Sequence, residues 1–273
     1  MGSIVRQRNV EVAREAFPAE YAPAAGFQLP VETRVYVVGM LKGGVGKTRL
    51  SMLIAFFLAM LGFRVVFIDA DSTSQSGHLW KTRVENSEET PGQELPFELV
   101  AYPLDDLDRK IDEFRNRGDV DYVICDIGGG NTSAFMAAVR RASKLVIPIG
   151  ADQSEVDRLA PTRLAALGAA AMSSAGGCEI YVAFNKVDRR RRAKVDRFRT
   201  ELERTDQEGG AYPLCGTEIP QLAAYADAYG QLIDYFDFEG EFEMLDYLLH
   251  ETGIWEFERL VEFFEMDDEE VGV

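Results

Sequence analysis

The chain has 273 residues, 47% of them hydrophobic, with a formal net charge of −17; that is enough apolar material for one large α/β domain or two small ones, and too much for a chain disordered throughout. Its three cysteines, Cys125, Cys178 and Cys215, form neither a CxxC pair nor a Cys/His set, which argues against a disulfide framework and against a zinc site. No uncharged apolar run is long enough to span a bilayer and the N-terminus lacks the charged-then-apolar pattern of a signal peptide, so a soluble cytoplasmic protein is expected.

Residues 1–32 read as an N-terminal extension, with a short helix over Asn9–Phe17 and then a loop marked by Pro18, Pro23 and Pro30. From Arg34 onward, apolar β-branched runs alternate with helical patterns, which predicts a mostly parallel sheet covered on both faces in a single α/β domain over 33–240. The strands are expected at Arg34–Gly39, Arg64–Asp69, Phe97–Tyr102, Tyr122–Asp126, Lys144–Ile149 and Glu179–Asn185. Helices are expected at Thr48–Leu61, Leu104–Arg117, Thr132–Ala142, Val156–Ala170 and Asp188–Arg204. Thr48–Leu61 is apolar almost all round, as a fully buried helix would be.

Between the first strand and that helix lies Leu41-Lys42-Gly43-Gly44-Val45-Gly46-Lys47-Thr48. Its glycines let the backbone curl so that successive N–H groups point inward, while Lys47 and Thr48 offer an ammonium and a hydroxyl to the β/γ-phosphates and Mg2+ of a nucleoside triphosphate. The spacing is that of the deviant Walker A motif, xKGGxGK[ST], and at these residues the chain resembles the ParA/MinD branch of P-loop ATPases. The resemblance implies a P-loop NTPase fold and makes Lys42 the signature lysine. It would act across a face-to-face homodimer that ATP cements and hydrolysis releases, a slow timer stimulated by a ParB-like or other partner. Lys42, Gly43, Gly44, Val45, Gly46, Lys47 and Thr48 are the candidate phosphate contacts. Arg49 follows, where relatives commonly carry a small hydroxyl residue that touches the α-phosphate.

Acids arrive at the ends of two strands, where ligands gather in sheets of this kind. Phe67-Ile68-Asp69-Ala70-Asp71 resembles the family's DxD, which would make Asp71 the residue that orients the attacking water, with Asp69 supporting the loop. Val123-Ile124-Cys125-Asp126 resembles a Walker B, with Asp126 holding Mg2+ through water and Thr48 contacting it directly. Thr48, Asp71 and Asp126 are therefore the candidate metal residues, and Lys42, Lys47 and Asp71 the candidate catalytic ones. Gly128-Gly129-Gly130-Asn131 is expected to supply a switch loop beside the γ-phosphate, where relatives often carry two prolines.

Phe184-Asn185-Lys186-Val187-Asp188 matches the NKxD by which many GTPases read guanine, whereas in the ParA/MinD group an asparagine here contacts adenine; ATP is the expected nucleotide, with Asn185, Ile219 and Pro220 at the base. Gly216-Thr217-Glu218-Ile219-Pro220 resembles the family's late loop that closes over that base. The next stretch is unexpectedly basic. Lys186–Arg199 holds eight Lys/Arg against two Asp in an otherwise acidic chain. Val195, Phe198 and Leu202 are spaced to face a core, so the cations project outward, and Arg189, Arg190, Arg191, Arg192, Lys194, Arg197 and Arg199 become candidates for sequence-independent contact with DNA phosphates. Partition ATPases resembling this chain ride on nucleoid DNA by such a patch, which implies nucleoid association. A charge run is otherwise a solvated helix face.

From Asp234 to the C-terminus the chain carries 15 Asp/Glu and one Arg. Residues 241–273 read as an acidic helix and tail, with the aromatic residues Trp255, Phe257, Phe263 and Phe264 expected to pack on the ATPase domain and Asp267–Glu270 expected to be solvated. MinD-like proteins end in a basic amphipathic membrane helix; an acidic one is repelled by anionic lipid, so no membrane partner is expected. The function expected is partition of plasmid or chromosomal DNA, or positioning of another cargo, with a regulator that does not bind DNA as the alternative. An iron–sulfur carrier would need paired cysteines, and a tyrosine-kinase relative a terminal tyrosine cluster; the chain has neither.

Overall fold

The computed structural model describes residues 32–60, 62–86, 92, 94–173, 177–205, 213–221, 245, 247–249 and 251–254. The N-terminal extension and the tail aromatics Trp255, Phe257, Phe263 and Phe264 lie outside the described residues.

Among the described residues seven strands form one sheet: β1 Arg34–Val38, β2 Val65–Asp69, β3 Glu98–Ala101, β4 Tyr122–Asp126, β5 Lys144–Ile149, β6 Glu179–Val187 and β7 Leu214–Pro220. They lie in the order β3-β2-β4-β1-β5-β6-β7, and every pairing is parallel. Parallel neighbours need crossovers, and these are supplied by α1 Lys47–Met60, α2 Ser76–Glu85, α3 Leu107–Arg117, α4 Thr132–Val139, α5 Gln153–Ala170 and, after a 3-10 turn at Arg189–Arg191, α6 Arg192–Thr205. Alternation along each strand divides the core into two layers. In β1, Tyr36 and Val38 face a layer with α1 and α2, while Val35 and Val37 face a layer built from α3, α4, α5 and α6. Leu245, Leu248, Leu249 and Ile254 are buried in the first layer.

Two elements differ from the sequence reading. Ser76–Glu85 is helical although only Gly77, Trp80 and Val84 are buried along it. Leu214–Pro220 is an edge strand beside β6, not a loop, with register shifts where it pairs. Elsewhere the boundaries move by a few residues: α3 begins at Leu107, α4 ends at Val139 and α5 begins at Gln153.

The sheet order also places the site. β1 and β4 lie side by side, and the crossovers that leave them run to opposite faces of the sheet, α1 in one layer and α4 in the other, which opens a crevice at their carboxyl ends. The register sets Val38 beside Asp126 and Asp126 beside Asp69, which brings the P-loop, the Walker B-like acid and the DxD-like acid to one place.

Candidate nucleotide site

Residues 39–46 connect β1 to the first turn of α1, and Gly44 and Gly46 have φ of +81° and +84°, a left-handed backbone open to glycine at little strain. A Cβ on Gly46 would also lie 2.5 Å from the Asn185 amide nitrogen, so the loop is fitted closely to the end of β6. Lys47 is 7% exposed, and its Nζ donates to the Lys42 carbonyl at 2.9 Å. Burial lowers its pKa, while the charges of Asp126, Asp71 and Glu155 pull the other way. This is a desolvated ammonium whose partner is a neutral carbonyl, a setting that an anionic ligand would improve.

Lys42 turns toward the start of α5. Its Nζ donates to Ser154 Oγ at 2.5 Å and lies 3.8 Å from Asp152 and 3.7 Å from Glu155. The two lysines therefore have different surroundings. Lys47 is locked inside the loop, whereas Lys42 sits on the rim with its charge balanced by helix α5.

Asp126 is 1% exposed, with Ser51 Oγ donating to its Oδ1 at 3.3 Å and Thr48 also hydrogen-bonded to it. Burial pushes its carboxyl up to about 7, with the neighbouring Asp69 and Asp71 charges adding to the rise and Thr48 and Lys47 opposing it. Its Oδ2 is buried with no protein partner. A buried carboxylate oxygen left over beside a threonine hydroxyl fits a hydrated Mg2+, which prefers one or two protein oxygens plus phosphate and water. Among the described residues no cluster of three or more His, Cys, Asp or Glu could hold a metal by itself. Cys125 and Cys215 are buried and unpaired, so the cysteines stay outside this chemistry.

Asp69 is fully buried and organises the loop after β2. Its Oδ1 accepts from the Asp71 N–H and its Oδ2 from the His78 N–H, while burial raises its pKa. Burial acts to raise Asp71 as well, but donation from Ser74 Oγ and from the N–H groups of Thr73 and Ser74 outweighs it and leaves Asp71 below the usual carboxylate range. Those bonds occupy three acceptor positions, so one remains for a water.

The glycine run after Asp126 touches both neighbours. A Cβ on Gly129 would sit 2.6 Å from the Gly43 nitrogen and one on Gly128 2.9 Å from Asp71 Oδ1. The run is thus appressed to the P-loop backbone and to Asp71 at once.

Asn185 is buried, and its amide nitrogen donates to the carbonyls of Val45 at 2.9 Å and Gly46 at 3.4 Å. Lys186 adopts φ +57° and its Nζ donates to the Gly44 carbonyl at 2.8 Å. In this structure both residues bolt β6 to the P-loop. Ile219 is buried in the core layer around α1 and Pro220 is buried at the end of β7. A cavity of about 550 Å³ opens beside the P-loop, lined among others by Gly44, Gly150, Glu155, Lys186, Asp188 and Arg190, within the size range of small-molecule sites. Arg49, half-buried in the first turn of α1, is not among its lining residues.

The basic stretch is less free than its sequence suggests. Arg199 has an 18% exposed side chain and donates to the Cys215 and Gly216 carbonyls and to Glu218. Arg192 pairs with Glu218 and Asp196. Arg190 and Arg191 have side chains 90% and 70% exposed and share one carboxylate, Asp188. Lys194 and Arg197 lie over the Phe198 ring. Arg189 opens the 3-10 turn. Sequence reasoning missed Glu218, because nothing local links it to arginines 19 and 26 residues earlier. Ser154 and Glu155 were likewise missed, since only the fold brings the start of α5 to Lys42.

The profile of the CobQ/CobB/MinD/ParA nucleotide-binding domain matches residues 36–233. No curated protein matches the chain in sequence. Among solved structures, the MinD cell division protein of Aquifex aeolicus shares 20% identity and a TM-score of 0.61, with 81% of this chain and 97% of that chain covered. A Cyanothece McdA variant in complex with ATP shares 15% identity and a TM-score of 0.58, covering 82% of this chain and 98% of that one. A Borrelia burgdorferi protein described as a plasmid partition protein, bound to AMPPNP, shares 14% identity and a TM-score of 0.56, covering 80% and 99%. At such identities these likenesses bear on the fold.

Proposed function

The chain belongs to the CobQ/CobB/MinD/ParA nucleotide-binding domain family, and from that premise we propose that it is an ATP-driven switch of the partition and positioning kind. Two copies close face to face on ATP and Mg2+, the dimer holds DNA without reading its sequence, and a ParB-like or other partner triggers the hydrolysis that releases it. The observation that carries this reading is the contact of Gly128 and Gly129 with Asp71 and the P-loop backbone. A loop so close to where a γ-phosphate would lie cannot ignore its arrival or loss.

The chemistry follows from charge. Phosphoryl transfer spreads negative charge over the γ-oxygens and the bridging oxygen, so fixed cations supply most of the help. Lys47, already desolvated, provides one from within the loop. Lys42 provides another to the second copy's phosphates, exchanging Ser154, Asp152 and Glu155 for them. Asp71 keeps one acceptor position for the attacking water. Thr48 and Asp126 would hold Mg2+, which neutralises phosphate charge when bound. Hydrolysis is slow until a partner acts, because Lys42 and Asp71 both start in other hydrogen bonds.

A second reading keeps the switch and omits DNA. It is favoured by the pairing of Arg192 and Arg199 with Glu218, which removes two cations from the outward face. One experiment separates the two: duplex binding with and without a non-hydrolysable ATP analogue over a salt series, with dimerisation followed in parallel by sedimentation. Binding that requires the analogue, falls steeply with salt and disappears in Arg190→Ala/Arg191→Ala while that variant still dimerises with the analogue supports the DNA reading. Dimerisation without DNA binding supports the second, and a chain that stays monomeric with the analogue overturns both.

A further inference from the structure

The described part of the C-terminal segment ends close to the basic stretch. Both carboxylate oxygens of Glu251 accept backbone N–H groups of β7, from Gly216 at 2.8 Å and Thr217 at 3.1 Å. Gly216 also offers its carbonyl to Arg199 at 3.3 Å. One residue of β7 thus stands between the root of the tail and the arginine helix. Ile254, three residues further on, is buried in the core and fixes the point of departure.

Beyond Ile254 the chain carries eight Asp/Glu and one Arg in residues 255–273. Elsewhere on the described surface Lys110 pairs with Glu113, Arg140 with Asp108, Arg141 with Asp112 and Lys144 with Glu179. Arg190 and Arg191 share Asp188 at the surface, where such pairs contribute little. Among the described residues Arg190, Arg191, Lys194 and Arg197 together meet one carboxylate, Asp188, so added negative charge is favoured there. The length of the chain beyond Ile254 is sufficient for it. Arg199 and Arg190 are nine residues apart, about 14 Å of helical backbone, whereas the thirteen residues from Ile254 to Asp267 span about 20 Å as a helix and about 45 Å extended.

We propose that the acidic residues beyond Ile254 dock on the face formed by Arg190, Arg191, Lys194 and Arg197 of the same chain, and compete there with the phosphates of DNA. Tethering makes the competition effective, since a covalently attached polyanion faces the patch at a high effective concentration whatever the protein concentration. The tail then sets a threshold. A single weak encounter with nucleic acid does not displace it, whereas a dimer that presents two patches to one duplex gains from both. This inference rests on the DNA-binding reading for its consequence, though not for the docking itself.

The test uses the full chain with Asp267→Asn, Asp268→Asn, Glu269→Gln and Glu270→Gln, a labelled random-sequence duplex, and a synthetic peptide of residues 255–273. With the ATP analogue at low salt, the neutralised protein is expected to bind the duplex about tenfold more tightly than the parent. The gap closes as salt rises and is absent when Arg190→Ala and Arg191→Ala are added. The peptide should bind the neutralised protein and lose that binding with the same arginine changes. Equal duplex affinity together with no arginine-dependent peptide binding overturns the docking and leaves the DNA reading standing. If neither protein binds duplex, the DNA reading fails and the peptide decides the docking alone: arginine-dependent binding upholds it, and its absence overturns it.

Discussion

Asp126→Asn should make the nucleotide-free protein more stable, and by an amount that depends on pH. In the folded chain the Asp126 carboxyl is pushed up to about 7 from an ordinary 3.8, chiefly by burial. A shift of that size corresponds to a penalty on the order of 4 kcal/mol for holding the ionised form above pH 7. Between the two values the folded chain keeps a proton that the unfolded chain has released. Stability of the parent therefore falls as pH rises through that window, by about 1.4 kcal/mol per unit, and levels off above 7. Asparagine has no such proton. The variant's advantage should accordingly shrink by about 2 kcal/mol between pH 8 and pH 5.5, or about 4–8 °C in melting temperature for a chain of this size. Thermal melts of both proteins in chelator, without nucleotide, at the two pH values measure it. Because the quantity read is the change in the gap, any fixed difference between an asparagine and a protonated aspartate cancels. Melting curves that shift in parallel with pH would show that Asp126 is not a strained buried acid, and the assignment of its free Oδ2 to a metal would lose its physical basis. With ATP and Mg2+ added the order should reverse, since the variant gives up the ligand that makes the charge worth burying.

Other expectations follow from single contacts. Lys47→Ala should abolish nucleotide-dependent thermal stabilisation, which for the parent amounts to about 2.7 kcal/mol at a ligand concentration one hundred times Kd; an unchanged shift would remove Lys47 from the phosphate site. Gly129→Ala places a methyl 2.6 Å from the Gly43 nitrogen, so a loss of about 1–3 kcal/mol in denaturant unfolding and weakened nucleotide retention are expected. Wild-type values for both would mean that the glycine run is not held against the P-loop. Asp121 is fully buried and accepts from the Arg64 N–H, Nε and Nη2 at 2.7, 3.0 and 2.6 Å. Asp121→Ala should cost about 2–3 kcal/mol, below the range for fully buried pairs because the Arg64 side chain is 34% exposed and can hydrate. A change under about 0.5 kcal/mol in urea titration would contradict that reasoning.

What the sequence disclosed, and what it withheld, divides along the range of the interactions concerned. The strand, glycine loop and helix around Lys47 are written in consecutive residues, and the hydrophobic runs at β2, β4 and β5 announce buried parallel strands without reference to their neighbours. α2 left a faint trace, since Gly77, Trp80 and Val84 have helical spacing but are its only buried residues. β7 left less. Leu214–Pro220 contains a glycine and a proline and buries only Cys215, Ile219 and Pro220, so its extended form depends on pairing with β6 more than on its own preferences. The site shows the same division. Asn185 announces itself by its motif, yet its amide nitrogen turns to the carbonyls of Val45 and Gly46, 140 and 139 residues away in the chain, where a motif reading would have aimed it at a base. That placement has a consequence for mechanism. With Lys186 also bonded to Gly44, two side chains tie the end of β6 to the P-loop, so under the proposed function a change at the phosphates would be carried to the start of the arginine stretch at Asp188. Asn185→Ala should therefore weaken both nucleotide binding and the nucleotide dependence of whatever the arginines hold, measured by the analogue-induced melting shift and by duplex affinity with and without analogue. If nucleotide affinity falls while the ratio of the two duplex affinities is unchanged, the connection through β6 is refuted and the arginine stretch answers to the dimer alone.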